Sequence, residues 1–494
     1  MLHYLWRRPA VIACFTGLYV LLISLELTAQ KKAKVSKDKT AVIETVDNHA
    51  EELIQLSDKI WSYAETALAE NQSSQALADF AEDYGFTVER GVAEMPTAFI
   101  ASYGSGEPVI GILGEFDALP GISQKASPDK SPLKEGAPGH GCGHNLFGVG
   151  SLGAAMAIKD LMDAGKVTGT LRFYGTPAEE TIGGKIYMAR AGLFDDLDVC
   201  LDWHPADEIE ANAQSSQALI DFTVEFYGKA AHAAADPWNG TSAVDGMEFY
   251  TTGLNYLREH VKPTARIHYL IQHAGDVVNV VPEHAKIWTR LRDSKRDAVE
   301  ATYQRVLKIA EGAAMMANVS YSTQLISGMH EVLVNRTGAE ALQKNLEALG
   351  PITYTDEETD FARQIQETTG KEQVGLDGEV HEFKETAENP SGGSTDVGDV
   401  SWVVPEIRLS VTTAPKGAPW HSWAVVACGG MSIGHKGLIY AAKALGMTMV
   451  DVFQDEQLRD NIKQEFRERK GKQEYKSILP EGPPPVPTET TSMN

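Results

Sequence analysis

Four short apolar runs limit what this chain can fold into. They are VIGILGEF (109–116), TLRFYGTP (170–177), DVCLDW (198–203) and IRLSVTT (407–413). Each is too short for a buried helix and reads as a strand covered on both faces. Helical patterns are expected between and beyond them, at 145–164, 183–191 and 432–445, after two earlier ones at 45–69 and 73–84. Strands alternating with helices predict an α/β fold, a sheet flanked by helices on both faces.

Residues 214–326 have a different rhythm. ALIDFTVEFYG reads as a strand and 240–260 as a helix, RIHYLIQHA and HAKIWTRLRD as strands, 295–317 as a helix and NVSYSTQLI as a strand. That order, β-α-β-β-α-β, predicts a ferredoxin-like α+β sandwich. It is inserted between two parts of a catalytic domain, 40–213 and 327–465. The Pro-rich end, 466–494, reads as a disordered tail. At the N-terminus, Arg7 and Arg8 precede an apolar run from Pro9 to about Leu25, followed by Thr28 and Ala29. Residues 1–29 therefore read as an export signal, periplasmic or secretory, or as an uncleaved membrane anchor.

The formal charge of −24 has no basic counterpart of the kind a nucleic-acid binder shows. Beyond Cys14 the chain has three cysteines, too few for a disulfide framework. Cys200 and Cys428 sit in apolar runs and read as buried. Cys142 lies in PGHGCGHNLFG (138–148), beside His140 and His144 and among glycines.

Ligands in open α/β sheets bind outside the carboxyl ends of strands. The predicted strands end at Asp117, at Glu179 and Glu180, and at His204, while a fourth leads to His421. Singly, each residue has an ordinary structural explanation. Together, Cys142, His144, Glu180, His204 and His421 form a ligand set for two divalent ions sharing a bridge. A tetrahedral structural zinc would leave the carboxylates idle. A thiolate can bridge, and its metal-bound form is deprotonated outright. Thiolate and imidazole suit zinc, and the carboxylate also admits manganese.

GHGCGHNLFGVG, TPAEETIGGK, DWHP, GKAAHAAADPWNGTSAVDG, NVVPEHAKIWTRLRD and GGSTDVGDVSWVVP occur in this order. They resemble the co-catalytic metallopeptidases of the aminoacylase and carboxypeptidase type. The branch is that of the indole-acetyl-amino-acid hydrolases, and the likeness is greatest to the B-type chains of the aminobenzoyl-glutamate hydrolases. The resemblance implies a zinc-peptidase-like mixed sheet and two divalent ions per subunit. Cys142, His144, Glu180, His204 and His421 would be the metal ligands. Glu179 would be the general base and Asp117 the residue that orients a ligand. His232 would reach an active site across a dimer, and Asn279 would contact substrate. Asn145 stands where the broader branch has Asp, which fits the aminobenzoyl-glutamate-like subgroup. The export signal departs from cytoplasmic relatives.

The activity implied is hydrolysis of N-acyl or N-aroyl amino acids. A dipeptidase or carboxypeptidase, and an inactive binding module of the same fold, are the rival readings. The substrate carboxylate needs a cationic or amide-rich pocket. Arg290 and Arg292 are candidates, and surface strand arginines are the plain alternative. The partner would be a second copy or a paralogous subunit.

Overall fold

A computed structural model describes residues 35–384, 390 and 392–486. Among the described residues, eleven strands form two sheets. They are β1 (Thr87–Arg90), β2 (Phe99–Ser105), β3 (Val109–Glu115), β4 (Gly169–Thr176), β5 (Val199–Ala206), β6 (Glu210–Ala211), β7 (Ala218–Tyr227), β8 (Arg266–His273), β9 (His284–Asp293), β10 (Ser320–Met329) and β11 (Glu406–Thr412). The larger sheet has the order β1-β2-β4-β3-β5-β11-β6. Its centre, β4-β3-β5-β11, is parallel, and antiparallel strands close both edges.

The apolar runs behave as doubly covered strands should. On β5, Val199, Leu201 and Trp203 enter one core, against the helices His144–Asp163 and Ser432–Gln454. Cys200 points the other way, into a second core with Ile186, Met188 and Val400. This alternation follows from the two-residue period of a strand. Because the four central strands are parallel, their carboxyl ends share one edge of the sheet.

The smaller sheet has the order β10-β7-β9-β8 and is antiparallel throughout. The helices Ala243–Leu257 and Arg296–Ala317 cover one face around Phe222, Phe226, Tyr250 and Leu291. In local numbering this is order 4-1-3-2, a ferredoxin-like sandwich inserted in the chain of the larger unit.

Two expectations need correction. The helix expected over 45–69 is two helices, Lys37–Asn48 and Ala50–Tyr63, meeting at His49. The second stops at Ala64, which is left-handed with φ 45°, and the Glu65 carboxylate then caps the next helix through Gln72 N and Ser73 N. The tail expected to be disordered from 466 is helical to Lys470 and then runs as a packed strap. Tyr475 donates its hydroxyl to Asp399 Oδ1 at 3.0 Å, Leu479 is buried, and Arg190 holds the carbonyls of Pro480 and Gly482. Proline-rich sequence is compatible with an extended packed chain when its apolar residues find sockets. Residues 487–494 and the export segment 1–29 lie outside the described residues. Among the described residues no helix is long and apolar enough to cross a membrane.

Truncation after Lys470 should lower the melting temperature by several degrees. It exposes the sockets of Tyr475 and Leu479, a loss of about 3–5 kcal/mol for two large side chains. Differential scanning calorimetry checks this, and an unchanged melting temperature would show that the strap adds no stability.

Candidate metal centre

The carboxyl edge of the parallel strands collects five functional segments. β3 leads to Glu115 and Asp117. The 138–143 loop delivers Cys142, and Gly143, at φ 76°, turns the chain into the helix that begins at His144. β4 leads into the turn with Glu179 and Glu180. β5 carries His204 near its end. After β11 a loop returns to His421, whose backbone N–H donates to Gly141 O at 2.9 Å. Gly141 permits that approach, because a Cβ there would lie 3.3 Å from the His421 backbone and 2.4 Å from Ile122.

The ligand candidates form two groups that share one atom. Cys142, His144 and His204 place ligand atoms within 4.8 Å of one another, and so do Cys142, Glu180 and His421. Cys142 Sγ lies 3.5 Å from His204 Nε2, and His421 Nε2 lies 3.4 Å from Glu180 Oε2. A third group joins Glu115, His144 and Glu179.

Hydrogen bonds orient the imidazoles. His144 Nδ1 lies 2.8 Å from Asp117 Oδ1, and His204 Nδ1 lies 2.7 Å from Pro205 O. Both acceptors hold a proton on Nδ1 and turn each Nε2 toward the centre. Asp117 also accepts from Glu180 N at 3.0 Å, so one buried carboxylate ties a ring to the turn of another ligand.

The electrostatics describe a site built for cations. Burial, then Glu180, pushes the Cys142 thiol up. Burial and the carboxylates of Glu115 and Glu180 push Glu179 well up. Burial pushes Glu180 up to about 7. Burial opposes the charged form of His144, but Glu115 and Asp117 outweigh it and hold that pKa well above the ordinary value. Burial and then the charge on His144 push His204 down to about 4. Glu115 Oε2 and His144 Nε2 face each other at 3.0 Å, and Glu180 Oε1 is buried without a hydrogen-bond partner. Buried carboxylates and an imidazole gathered in this way fit divalent cations.

Two expected residues lie apart from the ligand groups. His232 is exposed on the inserted sandwich, and its neighbour there is Asn279, whose carbonyl accepts from Ala233 N at 3.0 Å. His232 Nδ1 accepts from the amides of Ala234 and Ala235, each at 3.2 Å, which puts its proton on Nε2. Of the two arginines, Arg290 is tied to Asp221 and lies over the Trp288 ring. Arg292 Nε is buried with no partner among the described residues. Burial, then the charge on His144, and after it Arg292 and Arg290 depress the pKa of His421.

Sequence reasoning missed several participants. Lys185, fully buried, grips Glu115 Oε1 at 2.6 Å and Asp396 Oδ1 at 2.8 Å. Its place after TIGG gave no signal, since its partners are 70 and 211 residues away. Glu70, also buried, accepts from Ala178 N. His140 is a structural residue, buried with Nε2 3.1 Å from Ile60 O. Asn145 has a physical reason to be an amide: its Nδ2 donates to Ser57 Oγ at 3.1 Å and Gly429 O at 3.0 Å, which a carboxylate cannot do.

Such a cluster at the strand ends of this fold defines a metal-dependent hydrolase of amide bonds. The model of Peptidase family M20/M25/M40 matches residues 111–378, and the chain belongs to that family. It is 38% identical over 459 residues to the B-type chain of p-aminobenzoyl-glutamate hydrolase of Escherichia coli (strain K12), covering 87% of this chain and 95% of that protein. It is 30% identical over 448 residues to the Xaa-Arg dipeptidase of Homo sapiens, covering 86% and 91%. A dinuclear metal-binding peptidase of family M20 from Bacillus subtilis shares the fold with a TM-score of 0.55 at 17% identity, covering 83% and 99%.

Metal uptake should release protons and strengthen with pH. Burial raises the pKa of the Cys142 thiol and of Glu180, so cations must displace protons from these two groups. Zinc titration calorimetry at about pH 6 and about pH 8, in buffers of different ionisation enthalpy, checks this. Equal affinity with no proton release would contradict it.

Proposed function

We propose that the chain is a dinuclear metal-dependent amidohydrolase that cleaves N-acyl or N-aroyl amino acids of the p-aminobenzoyl-glutamate kind. The observation that carries this is the sharing of Cys142 between two ligand groups. One group, Cys142, His144 and His204, would hold one ion, and Cys142, Glu180 and His421 would hold the other, zinc or manganese. When bound, such ions supply an activated water at neutral pH.

The chain's own residues do the rest. Glu179, beside the cluster and not among its two main ligand groups, takes the proton of the attacking water and returns it to the leaving amine. Asp117 keeps His144 and Glu180 in place. Arg292, cationic and unpaired at Nε, receives the substrate's carboxylate. An anionic leaving amino acid such as glutamate suits this better than the basic one of an Xaa-Arg dipeptide.

His232 and Asn279 act on the substrate from across a dimer. His232 Nε2–H is the donor for the developing oxyanion. The partner is a second copy or a paralogous subunit, and the Escherichia coli relative, itself named as one lettered component of its hydrolase, supports the latter. The exposed edge of β8, with Leu270 and Ile271 open to solvent, supports strand pairing with that partner. The N-terminal charge and apolar pattern supports export of the enzyme.

Glu179→Gln should retain the metals and lose turnover by roughly 10²–10⁴. Metal analysis with p-aminobenzoyl-glutamate and Xaa-Arg dipeptides as substrates tests both role and specificity. Near-normal turnover by the variant would remove Glu179 as the base, and a preference for the dipeptides would favour the dipeptidase reading.

Equal mixing of His232→Ala with Glu179→Gln should restore activity toward roughly a quarter of wild type, the limit for random pairing in a dimer. No recovery with hybrid dimers present would place His232 outside a shared site.

A further inference from the structure

The turn that carries Glu179 has an unusual backbone. Ala178, fully buried, has φ 62°, a conformation disfavoured for any residue with a Cβ. The turn closes on itself, with Gly183 N donating to Ala178 O at 3.0 Å. Two carboxylates from other parts of the chain grip it. Asp117 Oδ2 takes the amide of Glu180 at 3.0 Å, and Glu70 Oε1 takes the amide of Ala178 at 3.0 Å. The residue between them is Glu179.

Glu70 is itself anchored. It is fully buried, and its Oε2 accepts from Thr97 Oγ1 at 3.1 Å. Its carbonyl accepts from Ser74 N, and Ser74 Oγ donates to Thr97 O. No salt bridge to a cation is formed by Glu70 among the described residues, so its burial is not offset by an ion pair. A buried charge without one is costly, and burial and then Asp117 push the Glu70 pKa up to about 8. An apolar side chain would fill the space at lower cost but leave the amide of Ala178 without its acceptor.

We propose that Glu70 is a positioning residue for the catalytic base: it holds Ala178 in the left-handed conformation and so aims the carboxylate of Glu179. The proposal rests on the reading of Glu179 as the base. It separates two tasks that the adjacent glutamates share. The Asp117 clamp serves the metal ligand Glu180, and the Glu70 clamp serves the base.

The test uses the full-length, metal-loaded protein with p-aminobenzoyl-glutamate as substrate. Glu70→Met removes the acceptor and should lower kcat by roughly 10², the usual cost of misplacing a reacting group by an ångström. KM and zinc stoichiometry and affinity should stay within a few-fold. Glu70→Gln should stay near wild type, because its carbonyl can take the Ala178 amide while its NH₂ turns to Thr97 Oγ1. Adding Ala178→Gly to Glu70→Met should recover about tenfold in kcat, since glycine adopts positive φ without penalty.

Wild-type kcat in Glu70→Met would overturn the proposal, and so would a kcat loss matched by loss of zinc. Glu70→Gln as impaired as Glu70→Met would also overturn it, by making charge the cause instead of the hydrogen bond. If Glu70→Met does not fold, Thr97→Val replaces it. Loosening the brace should then lower kcat several-fold with zinc retained, and no change would overturn the proposal. An active Glu179→Gln would instead remove the base itself, whereas an inactive Glu179→Gln beside a fully active Glu70→Met would remove only the clamp.

Discussion

One carboxylate joins the centre together. Asp117, at the end of β3, holds the His144 ring with one oxygen and the Glu180 amide with the other. It therefore ties the 138–144 loop to the turn after β4, two segments that no local sequence preference brings together. Parallel strands make this possible, because only their common carboxyl edge presents both segments on one side. Despite its burial, Asp117 is held in its charged form by His144, so the contact is charge-assisted from both sides.

Beneath it lies a second layer of buried charge. Lys185 binds Glu115 and Asp396, and Glu115 Oε2 lies 3.0 Å from His144 Nε2. A lysine with no exposure is tolerated because two carboxylates face it, and together they hold its pKa up against burial. Removing either partner would leave a charge stranded in the core. This layer therefore links the Asp396 segment, on the far side of the inserted sandwich in sequence, to the ligands.

What could be read from residue order follows from physics at short range. The apolar runs became strands, and the residues at their carboxyl ends met, because periodicity and strand direction are local signals. That Cys142, His144, Glu180, His204 and His421 come together was legible because Cys142 and His144 sit in one turn of glycines with few structural uses. Long-range partners were not legible. Nothing around Glu70 or Lys185 distinguishes them from surface charges until the fold buries them beside distant partners. The strap at 471–486 was missed for a related reason: its composition resembles a disordered segment, and the sockets for Tyr475 and Leu479 are made by residues far away in sequence. His232 and Asn279 share a loop contact on the inserted sandwich, apart from the candidate ligand groups.

The central claim is that Cys142 is shared by two metal sites. Stepwise titration of the stripped protein with cobalt(II), followed by thiolate-to-metal absorption in the near ultraviolet, tests it most directly. A shared thiolate predicts that the band grows or shifts through both the first and the second equivalent, and that Cys142→Ser abolishes it at both. A band complete at one equivalent and unmoved by the second would contradict the account and confine Cys142 to a single ion.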